Sequence, residues 1–88
     1  MVSKKFSYEH ESYTSETGVL YETHKDMIVE FTIDVDQCTL SANKQGLLAL
    51  AKSLIKLADD DVPVGCHFHL DPPVFFVDGS AELIIEKI

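Results

Sequence analysis

One segment of this chain has the periodicity of a helix, and everything else has to be arranged around it. Between residues 42 and 60, Leu47, Leu48, Leu50, Ala51, Leu54, Ile55, Leu57 and Ala58 recur at helical spacing. At roughly 100° per residue they cover about half of the circumference. Lys52, Ser53 and Lys56 fall on the other side. So wide a stripe exceeds what one small sheet covers, so either N-terminal strands wrap part of it or a second subunit does, which leaves a homodimer open. Ser41 or Asn43 is placed to cap the helix by accepting a bond from a first-turn amide. At the other end Asp59, Asp60 and Asp61 meet the negative pole of the macrodipole, so this end is expected to fray before Pro63 closes it. Gly46, in the first turns, costs up to about 1 kcal/mol relative to alanine. Loose capping is the favoured account of it, and close approach of another backbone is the other.

The flanking segments have the period of strands. Met27, Val29, Phe31, Ile33 and Val35 alternate with Ile28, Glu30, Thr32 and Asp34 over residues 27–35, as in a half-buried strand. Val64, Cys66, Phe68 and Leu70 alternate with Gly65, His67, His69 and Asp71, which puts one side on the helix and turns the histidines away from it. Pro72 and Pro73 end that strand because neither can donate to a ladder. Asp78-Gly79 signals a tight turn, and a last strand over 81–86 pairs with residues 74–77 or, across a longer loop, with 66–70. Residues 5–23 suggest two weak strands joined around "TSETG".

The expected architecture is therefore α+β: two layers, one amphipathic helix on a mainly antiparallel sheet, in the order β-β-β-α-β-β. With 88 residues there is room for one domain and one core. Its parts are N-terminal strands in 1–23, the helix in 42–60 and C-terminal strands in 64–88. A hydrophobic content of 45% is that of a folded chain. The opening "MVSKKFSYEH" has no apolar stretch after its lysines and "GLLALA" is far short of a membrane span. A cytoplasmic protein with no membrane partner is the expectation. Cys38 and Cys66 lack the spacing of zinc or redox pairs and are expected to be reduced and buried.

The formal charge of −8, from 15 acidic and 7 basic residues, argues against nucleic acid, whose phosphates require clustered Lys and Arg. A basic partner suits it better. The distinctive stretch is "GCHFHLDPP", where His67, His69 and Asp71 stand at every second position and share one side of a strand. Glu30, Asp34, Glu82 and Glu86 are candidates for the same open face. Such a set reads first as surface or interface histidines. A pH-sensitive contact is a second reading, and metal ligation by His67, His69 and Asp71 with a neighbouring Glu is a third. Cys66 and His67 point to opposite sides and make no nucleophile–base pair. No glycine loop or nucleophile elbow is present, so the residues indicate no catalytic group and no cofactor.

"SANKQGLLALAKSLIKLA", "GCHFHLD" and "GSAELIIEKI" together resemble the Immunity protein 32 family of bacterial polymorphic toxin systems. The matching positions are Ser41, Asn43, Gly46, Leu47, Leu50 and Ala51, then Gly65, His67, His69, Leu70 and Asp71, and finally Glu82, Leu83 and Ile85. They span residues 39–88. Ala42 stands where the family pattern has glycine, and Pro72-Pro73 departs from it. The resemblance implies an antidote that binds and blocks a cognate toxin of basic character by protein–protein contact, with no catalytic residues. Under that reading the contact regions are His67, His69 and Asp71, the acidic run Asp59, Asp60 and Asp61, and Glu30 with Asp34. The alternative reading is a small metal-binding domain or metal-dependent hydrolase built on the His-x-His-x-Asp strand.

Overall fold

The computed structural model describes residues 2–88. The α+β class holds, and the elements run β1 (Val29–Ile33), β2 (Cys38–Ala42), α1 (Lys44–Ala58), β3 (His67–Leu70) and β4 (Leu83–Glu86). The order among the described residues is thus β-β-α-β-β, not β-β-β-α-β-β. Within residues 1–23, of which Met1 lies outside the described residues, neither expected strand forms. "TSETG" does turn, with the Gly18 N–H donating to the Thr14 carbonyl at 2.9 Å. Across this turn the Tyr8 hydroxyl bonds the Glu22 carboxylate, and the Glu22 amide bonds the helix rather than a partner strand.

The strand missed by sequence reading is β2. Asp34 N–H donates to the Gln37 carbonyl at 2.8 Å and closes a turn, after which Cys38–Ala42 runs back along β1 with Phe31 opposite Leu40. Asn43 is the cap. Its Oδ1 accepts from the Gly46 N–H at 2.8 Å and from the Ile28 N–H at 2.9 Å. One side chain therefore ends β2, starts α1 and ties both to the entrance of β1.

The expected single sheet is instead two antiparallel pairs, β1 with β2 and β3 with β4. The second edge of β1 is taken by the loop before β4. Val77 N–H donates to Val29 O at 2.8 Å and Ala81 N–H to Phe31 O at 2.9 Å, while the Ser80 hydroxyl accepts from the Phe31 N–H at 3.2 Å. A side chain stands where a backbone carbonyl would continue a ladder, so no regular strand forms there. Asp78-Gly79 turns the chain within that loop, Gly79 at φ 89°. Of the two pairings open to the last strand, the long-range one is realised, His67 opposite Glu86 through to Leu70 opposite Leu83.

The helix is rotated relative to the expected stripe. Its buried residues are Gly46, Ala49, Ser53 and Leu57, whereas Leu47 is 54% exposed and Leu54 and Ile55 are exposed with it. The cause is small size. A Cβ at Gly46 would lie 2.7 Å from both the Ile28 carbonyl and Val29 Cγ2, so only glycine admits so close an approach to β1. Close backbone contact, not loose capping, explains Gly46. On the next flank the N-terminal segment crosses the helix: Glu22 N–H donates to Ser53 Oγ at 2.7 Å, and Ser53 in turn donates to the Ala49 carbonyl at 2.7 Å.

The core gathers Val29, Phe31, Leu57, Val62, Phe68, Leu70, Phe75 and Phe76 into one cluster, each contributing about 1.5–3 kcal/mol by leaving water. Tyr21 sits edge-on to both Phe68 and Phe75, at 5.8 and 5.3 Å between ring centroids, a geometry that aromatic quadrupoles favour. Cys38 is exposed rather than buried and Cys66 is half-buried, both as free thiols. The acidic helix end does not hang free. Lys87 Nζ donates to the Asp59 and Val62 carbonyls at 2.7 and 2.8 Å, and a cation there offsets the dipole that the aspartates oppose.

Candidate functional site

Residues directly opposite in an antiparallel pair share a face. The register therefore places His67 and His69 beside Glu86 and Ile84 on the exposed side of β3–β4, while Phe68, Leu70 and Ile85 turn to the core. Glu82, one step beyond Leu83, continues this face. His69 Nδ1–H donates to Glu82 Oε1 at 3.2 Å, and His67 Nδ1–H donates to the Gly65 carbonyl at 3.0 Å. Both acceptors lack hydrogen, so each ring in its neutral form carries its proton on Nδ1 and keeps a lone pair on Nε2. The two rings meet edge to face with centroids 5.0 Å apart.

Gly65 shapes the entry to this face. At φ 97° it donates its N–H to the Lys87 carbonyl at 2.8 Å while Lys87 N–H returns to Cys66 O at 2.9 Å, so two residues of one strand oppose one of the other. That is the geometry of a glycine bulge, which re-aims the side chains that follow.

The candidate residues do not form a single patch. His67 and His69 are together. Asp71 lies one residue beyond β3, exposed, its carbonyl accepting from the Phe75 N–H at 3.0 Å. Glu30 and Asp34 belong to β1 and the turn after it, in the other sheet. Asp60 and Asp61 are exposed beyond α1, whereas Asp59 is half-buried, receives the Asp61 N–H at 2.9 Å and faces His10 at 3.7 Å. Among the described residues no three of His, Cys, Asp and Glu converge as metal ligands, so the two imidazoles stand without a third donor.

Ile84 is the residue of this face that sequence reasoning overlooked. It is exposed on a strand, between Glu82 and Glu86 in sequence and opposite His69. The alternation of Glu82, Ile84 and Glu86 with Leu83, Ile85 and Lys87 carries the signal. Its placement beside the histidines depends on a pairing that the sequence leaves open.

A cleft of about 550 Å³ lies elsewhere, under the N-terminal segment and against Lys56 of α1 and Asp59 and Val62 just beyond it. Four of its groups pair off, with Lys56 Nζ 3.9 Å from Glu22 Oε1 and His10 against Asp59. Tyr8 donates its hydroxyl to the Glu22 carboxylate and lies 5.6 Å under Lys52 Nζ. Loss of surrounding water, then the bond to Glu22 and its negative charge, push the Tyr8 hydroxyl up to about 12. The cleft is a seam across which Lys56 meets Glu22 and Asp59 meets His10. Among the described residues no helix is long and apolar enough to cross a membrane.

A model of the Immunity protein 32 family matches residues 37–88, from the turn before β2 to the end of the chain. No curated protein and no solved structure matches.

Proposed function

The chain belongs to the Immunity protein 32 family, and from that membership we propose that it is a single-domain cytoplasmic antidote that neutralises a cognate toxin by covering it. The family match is the observation that carries this reading. It covers α1, β3 and β4 and so includes the whole histidine face. The protein acts as a binder and not as an enzyme.

The contact face of this proposal is centred on His67, His69 and Ile84. Flanking it are Glu82, Glu86 and Asp71, with Asp60 and Asp61 as a separate acidic approach. Ile84 gives this face an exposed apolar point inside a polar rim, the arrangement in which binding surfaces concentrate their energy. A formal charge of −8 suits a basic toxin, because opposite charge speeds encounter and favours the right partner. Glu30 and Asp34, on the other sheet, contribute to that long-range field.

The test begins with the tagged protein in its source cells. Its captured partner is identified by mass spectrometry, then expressed alone and with this chain. The reading requires arrest of growth by the partner alone, rescue by this chain, and a complex of fixed ratio. In that complex His67→Ser/His69→Ser/Ile84→Ser is expected to weaken binding roughly tenfold or more. A partner that is harmless when expressed alone overturns the antidote reading. Rescue with unchanged affinity in the triple variant moves the contact away from this face.

A further inference from the structure

The backbone of β2 has an open side. Val29 and Phe31 turn their N–H and C=O groups to residues 77–81. Backbone groups alternate sides along a strand, so Glu30 and Thr32 face β2, and through the register Ser41 and Thr39 face β1. The N–H and C=O of Cys38, Leu40 and Ala42 therefore point outward, and no hydrogen bond among the described residues reaches them. An edge of this kind is normally blunted by a Lys, a Pro, a bulge or a covering loop. β2, with sequence CTLSA, has no charge and no proline.

We infer that this edge pairs with the β2 edge of a second copy, antiparallel about a two-fold axis through Leu40. The outward groups then match: Leu40 bonds its own counterpart, Cys38 bonds Ala42, and Thr39 stands opposite Ser41 on the exposed face. Thr–Ser pairs of this kind are favourable across strands. The same register carries Asp36, exposed in the β1–β2 turn, to the far end of the other copy's strand beside Lys44, the first residue of α1. Helix α1 has no acidic residue in its first turn, so its positive pole lacks the anion that helix starts favour. The incoming Asp36 supplies that anion and pairs with Lys44, and the two-fold makes the contact twice. A single copy cannot satisfy it, since the whole of β2 (Cys38–Ala42) lies between Asp36 and Lys44 and the extended chain holds them on the order of 25 Å apart. This complementarity selects a second copy over an unrelated strand.

Light scattering across a concentration series tests the pairing. The wild type is expected to shift from monomer to dimer mass. Asp36→Lys and Lys44→Asp, each at an exposed position, are each expected to raise the dimer Kd roughly tenfold or more by placing like charges in both contacts. The double variant Asp36→Lys/Lys44→Asp is expected to restore dimerisation, which a structural role within one copy does not predict. Monomer mass at every concentration overturns the inference and leaves the edge to a strand from another protein. A dimer indifferent to both single reversals overturns it too, since the interface then lies elsewhere.

Discussion

The Glu22 amide donates to Ser53 Oγ at 2.7 Å, and this one bond fastens the N-terminal segment across a serine that is completely buried in the middle of α1. Ser53 also donates to Ala49 O, so the hydroxyl is satisfied as donor and acceptor together. Ser53→Ala leaves the Glu22 N–H without its partner, at a cost of about 1–3 kcal/mol. Urea unfolding is expected to show that loss, and hydrogen exchange at Glu22 to accelerate. Unchanged exchange there would mean that the segment is held by its other contacts.

Gly46→Ala sets two effects against each other. Alanine gains up to about 1 kcal/mol of helix propensity, but its Cβ would be 2.7 Å from a backbone carbonyl that cannot rotate away. Overpacking of that kind costs about 1–3 kcal/mol, so the variant is expected to be less stable than wild type. A rise in melting temperature would refute the close approach.

Lys87 bonds two carbonyls just past the end of α1. Lys87→Met keeps most of the aliphatic stem and removes the charge, and the loss is expected at about 1.5–3 kcal/mol, the range for hydrogen bonds to charged groups. Chemical denaturation measures the total. Amide exchange over residues 55–62 is expected to show the loss concentrated at the helix end, and a uniform change along the chain would count against it.

Tyr8 supplies the pH dependence. Its hydroxyl is pushed up to about 12 in the folded protein, above the roughly 10 of an unfolded chain. The neutral form is thus the one that folding favours. Its contribution is fully present below about pH 10 and is lost as pH rises through 12. Tyrosinate absorbance of wild type minus Tyr8→Phe is expected to titrate near the upper value, and Glu22→Gln to lower it. A wild-type difference curve centred near 10 would show that Tyr8 is not engaged.

Residue spacing alone determined that one helix and several strands share a core, that the helix starts just after Ser41 or Asn43 and that His67 and His69 project together, because each follows from local residue pattern within a few positions. The α+β class and the resemblance to the family were legible for the same reason: the pattern is local. The rotation of α1 was not. Counting leucines predicts the greasiest side as the buried one, whereas Gly46, Ala49 and Ser53 bury themselves because small side chains let the helix approach β1 and the N-terminal segment most closely. Nor could periodicity pair β4 with β3 or place Ile84 beside His69, since strands with equal alternation fit several partners. Those choices belong to the tertiary structure, where a loop's amides occupied the second edge of β1 and left β3 for the last strand.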